Sequence, residues 1–478
     1  MALGDFALRW RWILAAGALL VISLIIVLAA RTRPGYDPYG WLVWGKLTIH
    51  WKLDTNGAPS WKPLPYLFTV PYALTGHYAL WLWMVTSVAI SLSGPIFAWR
   101  IAFRLTGADP ARRYAAYVAG LFAAALVLAL EDPLGYTYTH YLLSAESDTM
   151  IVAICLAAVD FHLSGRHRVA FWLWWLGALG RPEVWPLWVL AGAWLWRAAP
   201  GYRRWLIVSV LLLVVLWFGI PGITSKSLLT AGNIAENSPR AIHGNKVTGT
   251  IHRFLQLEPA PVWIAAAATV VLAARRRQRA ILLVAAGAVL WVVVEVAFAL
   301  HGFPAVPRYL FEPGAVVAVL GGTFAGWVVL EVPPRLATLA RAPRTGAWAA
   351  GVVLLVFAVS MLPTARSQLR LERSDLRHEH VRTKLFNQLT TVSRQIGGAR
   401  MLACGQPNVP IEYQSVLAWD LDVKVGSLYV DQSHVAEHPH PLVNIYPTAG
   451  GWKEFTSHVA RGADAGRCQG LQSRAFRF

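Results

Sequence analysis

Residues 13–30 read ILAAGALLVISLIIVLAA, 18 positions with one serine and no charge. As a helix this run is about 27 Å long, close to the thickness of the hydrocarbon core of a bilayer. Comparable runs recur at 78–98, 114–130, 149–163, 205–220, 261–274, 280–300, 314–330 and 347–363. A cleavable signal peptide would account for the first run and for none of the others. Only 14% of residues are charged and 56% are hydrophobic, whereas roughly a quarter of a water-soluble domain is charged. The expectation is a polytopic α-helical protein of the plasma membrane.

The net charge of +18 raises the question of nucleic acid, and its distribution argues against it. Lys and Arg gather in short connections: Arg9 and Arg11, Arg100 to Arg113, Arg166 and Arg168, Arg197 to Arg204, RRRQR at 275–279, and Arg335 to Arg344. The positive-inside tendency puts these connections in the cytoplasm, so an even number of crossings must separate neighbouring clusters. Between Arg168 and Arg197, VAFWLWWLGALGRPEVWPLWVLAGAW must then enter and return as two short helices meeting at GRPE. Parity gives about eleven crossings, a cytoplasmic N-terminus and an extracytoplasmic C-terminal region. The outer segments are 31–77, 131–148, the 181–183 apex, 221–259, 301–313 and everything after about 365. They hold most of the carboxylates, so chemistry is expected on the outer face. The basic residues are topological, and no nucleic-acid partner is expected.

The first outer segment contains GYDPYGWLVWGKLTIHWKLD, residues 35–54. Asp37 followed by Pro38 reads as a helix start, a carboxylate cap and then proline at the first helical position. Trp41, Trp44 and Trp51 follow, with Lys46, His50 and Asp54 every four residues on another face. This predicts a helix lying in the interface, its tryptophans at headgroup level. The 221–259 segment, which carries Lys226, Arg240 and Lys246, has the small, polar composition of a mobile lid. After about residue 365 the composition changes. Residues 366–396 suit a solvent-facing helix, and 399–405 and 423–430 resemble short strands flanking a helix at 410–420. The expected organisation is a membrane module over 1–364 and a small extracytoplasmic α/β domain over 365–478. Cys404 and Cys468 both fall in that domain and are expected to pair in an oxidising compartment. Cys155 lies in an apolar run and reads as a core residue.

Ionisable groups near span ends are costly unless paired or used. Glu146 and Asp148 in AESDTM, Arg181 and Glu183 in GRPEVW, and His301 and Arg308 in HGFPAVPRYLFEP are such groups. With Asp37 they would form an outward cavity of carboxylates and cations at membrane level. Two plainer readings stand beside this one: an Arg181–Glu183 network that only holds the apex, and an Arg308 that snorkels to the interface.

A first span ending just before GYDPYGWLVWG, then an interfacial helix, then many spans with RPE and PRYL elements, resembles the GT-C glycosyltransferases. The resemblance runs over residues 10–330 and is nearest to bacterial, actinobacterial-type members that use polyprenyl-phosphate sugars. It implies an inverting transfer of a hexosyl or pentosyl unit, such as mannose or arabinofuranose, to a lipid or glycan acceptor of the cell envelope. Asp37 would be the base, with Asp54 the alternative. Arg308, Arg181, His301 and Lys226 would contact the donor phosphate, and Glu146, Asp148, Glu183, Lys46 and His50 are further site candidates. The partners implied are the lipid-linked donor, the acceptor and membrane lipids. No required cofactor is expected, and a divalent cation stands as an unsupported alternative: the outer loops lack a DxD triplet, and ESD at 146–148 is only an acidic relative of one. HEH at 378–380 and His434, His438 and His440 read as solvated histidines rather than metal ligands. Two other classes compete, a flippase for a lipid-linked glycan and a non-catalytic scaffold. The first is disfavoured because no internal repeat is evident.

Overall fold

The computed structural model describes residues 3–430, apart from 58, 108, 111, 112, 237, 239, 341 and 342, together with 441–448, 451–456, 468 and 474–477. Helix α1 (Leu3–Ala30) leads into the outer-loop helices α2 (Tyr36–Ile49) and α3 (Pro63–Ala73). Then come α4 (Tyr78–Thr106), α5 (Arg113–Leu128), the short α6 (Tyr138–Leu143), α7 (Ser147–Leu163), α8 (His167–Gly180) and α9 (Trp185–Ala198). They are followed by α10 (Arg203–Val214), α11 (Ile220–Thr224), α12 (Thr230–Glu236), α13 (Lys246–Leu255), α14 (Ala260–Arg275), α15 (Arg279–Leu300) and α16 (Phe311–Ala340).

Among the described residues, six helical segments are long and apolar enough to cross a bilayer, and a seventh is added if α13 and α14, bent by 97°, are one broken span. The predicted runs at 114–130 and 149–163 form α5 and α7, of 16 and 17 residues. Helices α8 and α9, 14 residues each, make the predicted in-and-out pair around Arg181–Val184. Six or seven of the about eleven expected crossings thus meet that length and composition, α5, α7, α8 and α9 being shorter, and the chain is a multi-pass membrane protein. Close backbone approach holds the bundle together where apolar side chains gain nothing by leaving lipid. A Cβ on Gly322 or Gly326 of α16 would collide with Ala119 and Ala123 or with Ala115 of α5. In α7, Asp160 is fully buried between Arg100 and Arg104 of α4, each at 2.9 Å.

Helix α17 runs from Pro343 to Ile396 without interruption, 54 residues with Pro363 inside it. The composition change near 365 therefore falls within a helix and not at a linker. Beyond it lie α18 (Gly398–Cys404), β1 (Gln406–Asn408), α19 (Ile411–Leu421), β2 (Leu442–Thr448), β3 (Gly451–Thr456) and β4 (Arg474–Arg477). The sheet order is β1-β2-β3-β4, with β1 parallel to β2 and the remaining pairs antiparallel. Two expected strands differ. Residues 399–405 fall largely in α18, in keeping with the helix-forming Ala, Arg, Met and Leu there, and 423–430 contributes a 3-10 turn at Val425–Ser427 plus an isolated bridge, Tyr429 to Asn408. Cys404 and Cys468 form the expected disulfide, their Cα atoms 5.7 Å apart. Cys155 is buried, as expected. His434, His438 and His440 lie outside the described residues.

The C-terminal α/β unit sits directly on α2. An aromatic chain runs from Tyr39 in α2 to Phe386 in α17 (5.8 Å between ring centroids), then to Tyr413 in α19 (5.9 Å) and Trp452 in β3 (5.0 Å). Tyr36 Oη donates to Gln414 Oε1 at 2.8 Å. Trp41 and Trp44 are 0% and 1% exposed, so they pack against protein and do not rest among headgroups. Trp41 meets Trp83 of α4 edge-on, and Trp44 meets Trp61. Only Trp51, past the end of the helix, projects outward.

Candidate active site

Helix α2 starts two residues earlier than Asp-Pro suggests. Gly35 is the N-cap, no side chain caps the helix, and Asp37 lies within the first turn. The Asp37 carboxylate is therefore not spent on orphan backbone N–H groups, though it still faces the positive end of the helix. Gly35 lets the next loop come close: a Cβ there would meet Glu146 Oε1 and push that carboxylate aside. Gly35 N–H donates to Ser144 O at 2.8 Å.

Asp37 Oδ2 lies 3.6 Å from Arg308 Nη2, the two side chains 22% and 15% exposed. Arg308 Nε lies 3.5 Å from Asp148 Oδ1. Asp148, fully buried in the first turn of α7, also receives Arg181 Nη2. Arg181 Nε faces Glu312 Oε1 at 3.4 Å, and its Nη1 faces Glu183 Oε1 at 3.9 Å. The Tyr309 ring lies 4.2 Å from the Arg181 guanidinium. Residues Asp37, Arg308, Asp148 and Arg181, with Glu183 and Glu312 both on Arg181, come from four separate stretches of chain and make one continuous charged line. Arg308 sits on the turn Pro307–Leu310, which Trp291 Nε1 anchors by donating to Tyr309 O at 2.9 Å. Arg253 holds the preceding loop through the carbonyls of Pro304 and Ala305 at 2.9 and 2.7 Å.

Three members of this site had no place in the sequence reading. Lys62 is the first: its Nζ donates to Ser147 Oγ at 3.0 Å and lies 5.5 Å from the centre of the Trp41 ring. Burial lowers its pKa, against the pull of Asp148 and with Arg181 pushing further down. Tyr141 is the second, its ring 5.8 Å from the Arg308 guanidinium and its hydroxyl donating to Asp132 Oδ2 at 2.8 Å. Glu312 is the third. A lysine between Trp61 and Pro63, in an outer loop with few polar residues, is the one signal in the sequence that could have marked Lys62. Glu146, predicted and present, is held well above the ordinary carboxylate range by burial and then by the charge of Asp37, which outweigh Arg308.

Five candidates lie elsewhere. Asp54 pairs with Lys424 of the C-terminal unit at 3.0 Å and accepts from Asn56 N at 2.9 Å. Lys46 pairs with Asp422 at 3.0 Å and lies over Trp419. Both residues dock the C-terminal unit, so neither stands at the cluster. His50 is exposed beyond the end of α2, His301 is exposed at the end of α15, and Lys226 is exposed with its backbone N–H on Asn56 Oδ1 at 2.8 Å. The supposed lid is largely helical, containing α11, α12 and α13.

Below the charged line lies a cavity of about 610 Å³ with walls from α7, α8, α9, α15 and α16. Glu312, His162, Trp194, Leu187, Leu283 and Val316 are among the residues that line it. Between Ala280 and Trp291 it follows α15 for about 16 Å, at 1.5 Å per residue. A partly exposed carboxylate beside buried cations, above a long apolar cavity, is able to accept a proton from an incoming hydroxyl while stabilising an anion that carries a hydrocarbon chain.

No family model matches this sequence, and no curated protein matches it. The crystal structure of ArnT from Cupriavidus metallidurans in the apo state is similar over 92% of this chain and 93% of that one, at 14% identity and a TM-score of 0.46.

Proposed function

We propose that the protein is an inverting glycosyltransferase of the GT-C type, acting on the extracytoplasmic face. It would move a sugar from a polyprenyl-phosphate donor to a lipid or glycan acceptor of the cell envelope. The observation that carries the reading is Asp37, 22% exposed and 3.6 Å from Arg308, at the head of a charged line that ends on the apolar cavity at Glu312. In the reaction the acceptor hydroxyl oxygen attacks the anomeric carbon and Asp37 takes its proton. The carbon–oxygen bond to phosphate breaks, and polyprenyl phosphate leaves with the electron pair. Arg308 and Lys62 stabilise the phosphate charge. Arg181 contacts three carboxylates and serves to hold Asp148, Glu183 and Glu312 in place. This supports a structural role for it over the donor contact first considered. His301 and Lys226 are not needed in this scheme.

The test is purified protein incubated with radiolabelled polyprenyl-phosphate sugars and an envelope extract. Labelled product that is lost in Asp37→Asn, with donor binding retained, supports the proposal. Normal turnover by Asp37→Asn overturns the assignment of the base. Lipid movement in proteoliposomes without product identifies a flippase, and neither activity favours a scaffold.

A further inference from the structure

The HEH motif contributes to a cluster, but through its glutamate and not its histidines. His378 is exposed, and His380 Nε2 bonds Ala30 O at 2.7 Å. Glu379 turns inward with Asp375, one helical turn before it on the same face of α17. Opposite them stands His140 of α6. His140 Nδ1 is 2.8 Å from Asp375 Oδ1 and 3.7 Å from Glu379 Oε1. One ligand atom from each of the three lies within 4.8 Å of the other two. The three side chains are 12%, 11% and 3% exposed.

The surroundings of these groups matter as much as the cluster itself. Helix α17 turns Arg366, Arg370, Arg373 and Arg377 toward solvent or partly so, while Glu372, Asp375 and Glu379 gather on the side that meets α6. Glu379 Oε2 takes Arg382, which leaves Oε1 for the imidazole side. Thr139 Oγ1 donates to Glu372. The His140 ring is wedged between Tyr136 at 4.5 Å and Tyr141 at 5.2 Å. One imidazole nitrogen and two carboxylate oxygens, held by packed rings and by an arginine outside them, form a donor set suited to a borderline divalent metal.

We propose that His140, Asp375 and Glu379 form a Zn2+ site that fastens α6 to α17. The metal takes the Nδ1 lone pair of a neutral His140 ring, whose proton then sits on Nε2, and replaces the His140–Asp375 hydrogen bond with two metal–ligand bonds. Three protein donors leave a fourth position for water. The site is separate from the Asp37–Arg308 line, but Tyr141, next in sequence to His140, lies against Arg308. Metal binding would therefore fix the ring beneath one of the cations of the charged line.

The experiment uses the full chain in detergent, purified without a histidine tag, stripped of metal and titrated with ZnCl2. The expected result is one tight equivalent by elemental analysis. Co2+ in place of zinc should give visible d–d bands that added Zn2+ removes. His140→Ala and Asp375→Asn should each remove that equivalent or weaken it at least 10-fold, while changing His434, His438 and His440 together should leave it in place. Glu379→Asp, a milder change, keeps the test valid if the others fold poorly, and should weaken binding while retaining the Co2+ bands. The proposal is overturned if no equivalent binds, or if the bound zinc is indifferent to His140 and Asp375.

Discussion

Removing different charges from the central line should have different consequences. Arg308→Ala takes away a cation bordering the partly open carboxylate Asp37, so donor affinity should fall on the order of 10- to 100-fold, measured with a polyprenyl-phosphate analogue, with a smaller change for acceptor. Arg181→Ala instead strands Asp148, Glu183 and Glu312 in a buried setting. Its main effect should be a loss of stability of about 3–5 kcal/mol, seen as a lower melting temperature in detergent. Asp420 offers a pH test. Burial raises its pKa to about 6, opposed by the hydrogen bond from Thr390 and by Arg394. A carboxyl raised in the folded state takes up a proton on folding, so its contribution is best below pH about 4 and is lost as pH rises through about 6. Asp420→Asn should then stabilise the protein at pH 8, by at most about 3 kcal/mol, and have little effect at pH 4. The sequence marked Asp37, Arg308, Arg181, Glu146, Asp148 and Glu183 because charges beside apolar runs are costly enough to need a reason. It could not mark His140, whose local sequence fits an ordinary loop and whose partners are distant in the chain; Lys62 carries one signal, its place between Trp61 and Pro63.

Between elements, the joint of α2, α17 and α19 rests on aromatic packing more than on its ion pairs. The Lys46–Asp422 and Lys424–Asp54 pairs are partly solvated and are each worth a few tenths of a kcal/mol to about 1. Phe386, 2% exposed between Tyr39 and Tyr413, should cost about 3–5 kcal/mol when cut to alanine. Limited proteolysis should then release the C-terminal unit at lower temperature, while Lys46→Ala should barely alter it. The position of α2 was legible from GYDPYG, but the direction its tryptophans face was not. An indole is equally at home among headgroups and against Trp83, and the pattern of apolar positions does not separate the two.

For the whole molecule, apolar-run spacing was enough to anticipate where the apolar helices fall, since the hydrocarbon core sets both length and composition, while the parity count of about eleven crossings exceeds the six or seven segments long enough to span. What they could not anticipate was that α17 would pass through the composition change without a break, since Pro363 and the charged stretch after it read as a stop. At 1.5 Å per residue its 54 residues span about 80 Å. A rod of that reach, rooted in lipid and tied to α2 at its far end through Phe386, behaves as a lever: tilting its base by five degrees swings its tip by about 7 Å. Acyl-chain length, which sets how far such a span leans, should therefore tune turnover in reconstituted vesicles, and a short glycine insertion after Thr364 should abolish that sensitivity.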